Sequence, residues 1–245
     1  MSSPPTMAMV LAAGLGKRMR PITDTLPKPL VGVAGKALLD WALDSLAEAG
    51  VGTAVVNLHH LPEQVVAHLA ARRHPGVVFS DERAELLESG GGIVKALPLL
   101  GEEPFFVVNA DTFWIDAAEP NLRRLARAWD PARMDMLLML ADMRSSTGHT
   151  GKADFLLAAD GRLARAGGAA DGLIYAGAAI FHPRIFAAAP AGKHSLNVEF
   201  DAAIATGRLA GLTMDGHWIT VGTPDAIAQA EAAVRRFAGG GAAGR

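Results

Sequence analysis

Short, mainly apolar runs alternate along the chain with longer segments in which apolar residues recur every three or four positions. The short runs predict buried β-strands and the longer segments predict amphipathic helices. In the first half of the chain the predicted strands are 7–12, 53–58, 77–80 and 105–109, and the predicted helices are 37–49, 62–71 and 92–100. This alternation is typical of βαβ units that build a parallel sheet.

The pattern changes in the second half of the chain. After a helix at 121–129 and a strand at 134–141, two strands at 155–158 and 173–181 are separated by the turn signal Asp160-Gly161. This spacing predicts antiparallel strands and therefore a mixed sheet. The remaining predicted elements are helices at 183–189, 198–206 and 224–237 and strands at 209–214 and 217–220. We predict one α/β domain over residues 1–238, with a mostly parallel sheet between helices, and a disordered tail over residues 239–245.

The composition excludes several classes of function. The chain has 245 residues, a net charge near −2 and no cysteine. A charge so close to zero argues against a nucleic-acid or membrane surface, and the lack of cysteine excludes disulfides and thiolate catalysis. No apolar run reaches the roughly 18 residues needed to span a bilayer, and the start of the chain does not resemble a secretory signal. We therefore expect a soluble cytoplasmic enzyme.

The first predicted strand leads into a turn of small residues. Ala12, Ala13, Gly14 and Gly16 allow the backbone to approach a ligand closely, because larger side chains would hold it away. Consecutive N–H groups in such a turn form a concave site for phosphate oxygens. A plain glycine turn between a strand and a helix is the alternative.

Two fixed cations follow the turn. Arg18 offers a rigid fork of donors for phosphate, and Lys28 offers a mobile point charge. The prolines on either side of Lys28 stiffen the backbone that carries it. The turn is not a P-loop, because Gly16-Lys17 is followed by Arg18, and it is not a dinucleotide fingerprint, because Met19 stands where a small residue is needed. We therefore expect it to hold phosphate in another way.

These residues form a motif, Leu-x-x-Gly-x-Gly-x-Arg-Met/Leu-x-Pro followed by Pro-Lys-Pro-Leu, that resembles the signature of the sugar-1-phosphate nucleotidyltransferases. Further segments at 90–98, 105–111 and 218–224 follow in the order of that family. Within the family the chain is most similar to the N-acetylmuramate-1-phosphate uridylyltransferases of cell-wall recycling, on the basis of the string at 90–101 and the short length.

The resemblance implies a Rossmann-like, GT-A-type nucleotidyltransferase fold. Residues of about 7–115 would bind a nucleoside triphosphate, and residues of about 134–223 would bind a sugar 1-phosphate. The phosphate of the sugar would attack the α-phosphorus of the triphosphate, most simply UTP, and pyrophosphate would leave. The implied partners are small-molecule substrates alone, with the protein a monomer or small homo-oligomer.

The resemblance also assigns roles near the nucleotide. Arg18 would lie along the β- and γ-phosphates, and Lys28 would bind the α-phosphate or the sugar phosphate, although a solvated arginine and a linker lysine are the alternatives. Backbone contacts to the nucleotide would come from Leu11, Ala12, Ala13, Gly14 and Gly16. Contacts near the base would come from Gly91, Gly92 and Glu82, of which Glu82 could equally be a solvated charge and the glycines a flexible link.

Asp111 is the candidate metal ligand and the third candidate catalytic residue. It comes directly after an apolar strand, where open α/β sheets bind ligands. Mg²⁺ prefers one or two carboxylates together with phosphate oxygens and water, so a carboxylate beside phosphates suits it. A capping aspartate for the next segment is the alternative.

The sugar-phosphate site is expected from the later part of the chain. The strand containing Gly177 resembles the strand of the family that packs on the sugar ring. The candidates for contacts to the sugar phosphate are Asn109, Asp154, Gly177, Asn197 and Glu199, with Lys152 and Asp201 as further possibilities.

The chain departs from the family pattern at Thr220. Many family members have an aspartate there that is the second metal ligand. Either Asp111 and the phosphates suffice, or Asp215 or Asp201 substitutes, or turnover is poor. The alternatives in function are a mannose- or heptose-1-phosphate guanylyltransferase, a regulatory homologue that binds a nucleotide sugar, and a glycosyltransferase, for which Asn109-Ala110-Asp111 only half fits the usual Asp-x-Asp motif.

Overall fold

The computed structural model describes residues 3–238, in which strands and helices alternate through the first half of the chain. The strands are β1 (Met7–Leu11), β2 (Gly32–Val33), β3 (Lys36–Ala37), β4 (Thr53–Leu58), β5 (Gly76–Asp81), β6 (Phe105–Asn109), β7 (Thr112–Asp116), β8 (Met136–Ala141), β9 (Ser146–Thr147), β10 (Phe155–Leu157), β11 (Leu163–Arg165), β12 (Ile174–Phe181), β13 (Leu209–Thr213) and β14 (Gly216–Thr220). The α-helices are α1 (Leu38–Glu48), α2 (Pro62–Leu69), α3 (Glu88–Leu100), α4 (Asn121–Ala128), α5 (Asn197–Ala205) and α6 (Pro224–Ala238). The predicted tail at 239–245 lies outside the described residues.

Seven strands form the central sheet in the order β13-β8-β12-β6-β1-β4-β5. β1 runs parallel to β4 and β6, and β4 runs parallel to β5. β12 runs antiparallel to both of its neighbours, β6 and β8, while β13 is again parallel to β8. The predicted mixed, mostly parallel sheet is therefore confirmed, with β12 as the strand that reverses direction.

Helices cover both faces of this sheet. Along β1, Ala8 and Val10 pack in a core with α1, whereas Met9 packs on the opposite face in a core that contains Ile93 of α3. This alternation follows from the two-residue period of a strand. With both faces buried, the strands are apolar throughout, as is typical of parallel sheets in α/β proteins.

The central position of β1 creates the crevice for a ligand. The chain moves from β1 to β4 on one side and later adds β6 on the other side. The carboxyl ends of these three parallel strands meet at one edge, and the segments that follow them diverge there. Open α/β sheets bind ligands at such a point.

A second, three-stranded sheet stands beside this edge. β14 pairs antiparallel with β7 and parallel with β9, and α6 packs against it. The pairing places Thr220 opposite Thr112, and the Val221 amide donates to the Asp111 carbonyl over 3.1 Å. The end of the chain is thereby fixed next to the end of β6.

Three local predictions need correction. Helix α3 begins at Glu88 and not at Gly92, so its three glycines lie inside the helix, where each is buried against close neighbours. β7 was not predicted, since it follows β6 after two residues and looks like the end of the same run. The partner of β10 in its antiparallel hairpin is β11, a three-residue strand with two exposed residues, so periodicity gave little signal for it.

Within residues 3–238, no helix is both long enough and apolar enough to span a membrane.

Candidate active site

A cavity of about 400 Å³ opens at the carboxyl ends of β1, β4 and β6. Its walls come from the turn after β1, from the Lys28 segment, from the start of α3 and from the residues after β6. The lining residues are Leu11, Ala12, Ala13, Gly14, Lys28, Pro29, Asn57, Leu86, Glu88, Ser89, Asn109, Ala110 and Asp111. Four of the five residues predicted to give backbone contacts to the nucleotide thus line one cavity together with Lys28 and Asp111.

Gly16, the fifth of these residues, closes the turn from outside the cavity. Its φ of +61° lies in the left-handed region, which favours glycine. An ideal Cβ on Gly16 would lie 2.8 Å from Cγ2 of Thr23 and 3.1 Å from Cβ of Lys28. Glycine therefore lets the loop fold back onto the segment that carries Lys28.

Lys28 and Asp111 form an ion pair in the cavity wall. Lys28 Nζ lies 2.5 Å from Asp111 Oδ2, and the lysine is buried while the aspartate side chain is 38% exposed. A 3₁₀ turn over Lys28–Leu30 positions the lysine, and β6 positions the aspartate. Asp111 Oδ1 takes part in no hydrogen bond with any residue of the 3–238 range, so this oxygen can accept a ligand.

Asn57, at the carboxyl end of β4, organises the turn after β1. Its side-chain oxygen accepts hydrogen bonds from the amides of Ala12 at 2.6 Å and Ala13 at 3.2 Å. These two amides are therefore already paired within the protein, and the hydrogen bonds hold the turn in one conformation. Sequence reasoning missed Asn57, although a polar residue in the run Ala54-Val55-Val56-Asn57-Leu58 is a usable signal.

Glu82 is not among the residues that line the cavity, and its predicted contact with the base stays a prediction. It is 0% exposed. Its Oε1 accepts from Asn57 Nδ2 at 2.7 Å, and its Oε2 accepts from the Leu87 amide at 3.1 Å. Burying a carboxylate is favourable only when its oxygens are hydrogen-bonded, and both are. Glu82 supports Asn57 and the segment before α3.

Gly91 and Gly92 also lie away from the cavity, within helix α3, and not in a loop before it. An ideal Cβ on Gly92 would lie 2.8 Å from Glu82 Oε1, and one on Gly91 would lie 2.3 Å from the Gly192 carbonyl oxygen. Glycine is needed at both positions because the helix packs closely against Glu82 and against the loop that contains Gly192. The cavity is lined instead by Glu88 and Ser89, at the start of the same helix.

Arg18 lies outside the cavity lining. Arg18 is an exposed residue. Its guanidinium packs close to Gly222, just before α6, where an ideal Cβ on the glycine would lie 3.3 Å from the two terminal nitrogens. The structure thus brings Lys28 and Asp111 together and places Arg18 near the end of β14. A role for Arg18 on the β- and γ-phosphates stays a prediction.

Thr220 pairs with Thr112, next to Asp111, and is the position at which the resemblance implies a second carboxylate. The two substitutes considered from the sequence are not there. Asp201 lies on α5 and is paired with Arg165 of β11. Asp215 lies just before the opposite end of β14, about 16 Å from Thr220 at the usual rise per residue. In the described part of the chain no group of three or more His, Cys, Asp or Glu residues could hold a metal ion.

A second cavity of about 260 Å³ adjoins the first and shares three residues with it, Leu11, Ser89 and Asn109. Its other lining residues are Asp154, Phe155, Arg165, Tyr175, Ser195, Leu196, Asn197 and Phe200. The structure thus brings Asn109, Asp154 and Asn197 together in one cavity, and their contact with a sugar phosphate stays a prediction. Asp154 Oδ2 accepts from the Tyr175 amide at 2.9 Å. Sequence reasoning missed Arg165 and the two phenylalanines, and it included Tyr175 only as part of the strand that contains Gly177.

Two predicted sugar contacts, Gly177 and Glu199, are not in this cavity. Gly177 is buried at an irregularity in β12 with φ of +77°, and its Cβ would lie 2.5 Å from Thr112 Oγ1 and 3.0 Å from Asn109 Nδ2. The lack of a side chain at Gly177 therefore leaves room for the side chains of Asn109 and Thr112. Glu199 is buried with Oε1 at 2.9 Å from His194 Nε2, and this pair links α5 to the loop that precedes it.

Comparison with known proteins agrees with this geometry. The family model described as "MobA-like NTP transferase domain" matches residues 8–189. The chain is 50% identical to an N-acetylmuramate alpha-1-phosphate uridylyltransferase of Caulobacter vibrioides, over 95% of this chain and 98% of that protein. It is 37% identical to a protein of the same name from Neisseria meningitidis, over 92% and 96% of the two chains.

The fold is also similar to that of solved structures. A crystal structure of UDP-glucose pyrophosphorylase complexed with UDP-glucose superposes with a TM-score of 0.76, at 18% identity, over 94% of this chain and 98% of that chain. At this identity the likeness shows a shared fold.

Proposed function

This chain belongs to the family of MobA-like NTP transferase domains, and from this membership we propose that it transfers a uridylyl group from UTP to N-acetylmuramate 1-phosphate. The observation that carries the proposal is the Lys28–Asp111 pair in the wall of one cavity that continues into a second. The first cavity would take the nucleotide and the second the sugar. The similarity over nearly the whole chain to two uridylyltransferases supports the choice of base and sugar.

The proposed reaction is an in-line displacement. A phosphate oxygen of the sugar phosphate forms a bond to the α-phosphorus of UTP, and the bond from that phosphorus to the bridging oxygen of pyrophosphate breaks. Catalysis of this kind needs positioning and charge neutralisation rather than a covalent intermediate. Lys28 would neutralise charge at the α-phosphate or the sugar phosphate, and Arg18 would contact the leaving pyrophosphate from the rim.

We propose Mg²⁺ as the cofactor, with Asp111 as the ligand from the protein. The donor set fits such an ion, because Mg²⁺ commonly binds one or two carboxylates together with phosphate oxygens and water. When bound it would neutralise phosphate charge and orient the triphosphate. Asp111 has one oxygen without a protein partner for this purpose, and its pairing with Lys28 holds the carboxylate at the cavity wall.

The location of the two cavities supports a division of the chain into a nucleotide-binding and a sugar-phosphate-binding part. All lining residues of the first cavity lie within residues 7–115, and most of those of the second cavity lie between 134 and 223. Asn109 and Ser89 stand in the wall that both cavities share. Because the proposed reaction consumes UTP, we also propose a cytoplasmic location and a role in cell-wall recycling. The proposed partners are small molecules alone, and the protein would act as a monomer or small homo-oligomer.

The test is pyrophosphate release measured with UTP, GTP and CTP against N-acetylmuramate 1-phosphate, N-acetylglucosamine 1-phosphate and mannose 1-phosphate, with Mg²⁺. We expect the highest kcat/KM with UTP and N-acetylmuramate 1-phosphate. The Asp111→Asn variant prepared in parallel controls for contaminating activity. Preference for GTP with mannose 1-phosphate would contradict the proposal, as would nucleotide-sugar binding without turnover.

A further inference from the structure

We propose that Arg165 recognises a carboxylate on the sugar substrate and so determines the specificity of the second cavity. The inference rests on the function proposed above, because N-acetylmuramate carries a carboxylate on its lactyl ether and N-acetylglucosamine does not. Arg165 is the last residue of β11, in the hairpin that borders the second cavity.

Arg165 is the single cationic residue in the lining of the second cavity. The phosphates of both substrates are expected at Lys28 and Asp111, in the first cavity. A fixed positive charge in the second cavity is therefore not explained by the phosphates. It matches a second anionic group, situated on the part of the sugar substrate away from its phosphate.

The guanidinium of Arg165 is held in position by aromatic rings and by two hydrogen bonds. It lies 5.0 Å from the ring centroid of Phe155 and 5.8 Å from that of Phe200. Its Nε donates to Asp201 Oδ1 at 2.8 Å, and its Nη2 donates to the Asn197 carbonyl at 3.3 Å. Stacking on aromatic faces orients the planar fork, so little side-chain entropy remains to be lost when a ligand binds.

Donors of this guanidinium remain for a ligand. Arg165 Nη1 makes no hydrogen bond to any of residues 3–238, and the side chain is 37% exposed. Two carboxylates are near. Asp201 is 64% exposed, so solvent screens its pairing with Arg165, and Asp154 is engaged by the Tyr175 amide. A substrate carboxylate can therefore bind Arg165 without displacing a buried ion pair.

The hydroxyl of Tyr175 is a second observation that points to a ligand. Its oxygen is buried in the same cavity wall and has no hydrogen-bond partner in the described structure. Burial raises the pKa of this phenol above its ordinary value, so the hydroxyl keeps its proton and remains a donor. A buried unpaired donor is unfavourable, and an oxygen of the sugar substrate would pair it.

The experiment compares Arg165→Gln with the wild-type enzyme on two substrates that differ only in the lactyl group. We expect kcat/KM for N-acetylmuramate 1-phosphate to fall about ten- to a hundredfold, the scale of a hydrogen bond to a charged group, mainly through KM. The value for N-acetylglucosamine 1-phosphate should change less than about threefold. Arg162→Gln is the matched control, because Arg162 lies in the same hairpin and pairs with Asp160 outside both cavities.

A chemically modified substrate tests the same role of Arg165 without depending on a protein variant. The methyl ester of the lactyl carboxylate should lower kcat/KM of the wild-type enzyme by the same factor, and Arg165→Gln should not distinguish the ester from the acid. If the variant loses activity equally on both sugars, or if the wild-type enzyme uses acid and ester alike, the assignment of Arg165 is wrong. Failure of the wild-type enzyme to use N-acetylmuramate 1-phosphate with any nucleotide would instead contradict the proposed function.

Discussion

The side-chain amide of Asn57 donates to the carboxylate of Glu82 over 2.7 Å, and both residues are buried. A carboxylate accepts hydrogen bonds and cannot donate them, so it fixes which end of the Asn57 amide faces it. The oxygen of Asn57 is thereby turned toward the backbone after β1. Glu82, which does not itself line the cavity, thereby influences the conformation of the loop that forms the cavity wall.

Asn57→Ala is therefore expected to weaken nucleotide binding. The substitution leaves the Ala12 and Ala13 amides and the Oε1 atom of Glu82 without partners, and each unpaired group costs about 1–3 kcal/mol. We expect the dissociation constant for UTP, measured by calorimetry, to rise at least about tenfold. Asn121→Ala is the control, since Asn121 is a buried asparagine that pairs with Asp116 and Asp215 near α4. Unchanged UTP affinity in Asn57→Ala would contradict this role.

The Lys28–Asp111 pair leads to a second prediction. Lys28→Ala and Asp111→Ala should each lower turnover at least about a hundredfold, the scale for the loss of one electrostatic stabiliser. The measurement is kcat at saturating substrates and Mg²⁺. Lys36→Ala serves as the control, because Lys36 forms an ion pair of similar length with Asp44 away from both cavities. A near-normal rate in either site variant would show that its charge is not used in the reaction.

The sequence predicted the central sheet well because its signals are local. Strand β4 was predicted with its observed bounds. The observed ends of β1 and β6 lie just before the turn of small residues and just before Asp111, as predicted. The position of Asp111 followed from the general rule that ligands bind at the carboxyl edge of the sheet. These predictions need only the period of apolar residues and the direction of the strands.

The remaining errors arise from contacts between distant parts of the chain. Glu82 looks like an exposed acid in sequence, yet it is buried against Asn57 on another strand. In the sequence Gly92 looks like part of a flexible link, because glycine has a low helix propensity and no other local signal predicts a helix there. Its close approach to Glu82 becomes visible only when the helix is packed on the sheet.

A third prediction concerns the dependence of stability on pH. Asp135, just before β8, pairs with Nε of Arg184 at 2.5 Å and with Nε of Arg208 at 2.8 Å. Burial by itself raises the pKa of Asp135, but hydrogen bonds from Arg208 and Arg184 outweigh it and hold the pKa below its ordinary value. A depressed carboxyl pKa stabilises the fold above the unfolded pKa of about 3.9, and this contribution is lost as the pH falls through the folded pKa.

Asp135→Asn should therefore lower the free energy of unfolding by about 2 kcal/mol at pH 7, the scale of hydrogen bonds to a charged group. The difference from the wild-type protein should shrink below about pH 4. Urea titrations at pH 7 and at pH 3 measure it. Asp160→Asn, which removes an exposed partner of Arg162, should have little effect at either pH. A difference that is the same at both pH values would rule out the charge as its cause.

The last prediction addresses the departure of Thr220 from the family pattern. Thr220 pairs with Thr112 directly beside Asp111, so an aspartate at this position would bring a second carboxylate to the proposed Mg²⁺ site. Thr220→Asp should lower the Mg²⁺ concentration at half-maximal rate several-fold, because Mg²⁺ accepts two carboxylates. Thr213→Asp adds the same charge on β13 and should leave the Mg²⁺ dependence unchanged. If the wild-type protein bound UTP without turnover and only Thr220→Asp were active, the chain would be a regulatory homologue. If both turn over and their Mg²⁺ dependence is equal, the residue at position 220 is not a metal ligand, and Asp111 with the phosphates is sufficient.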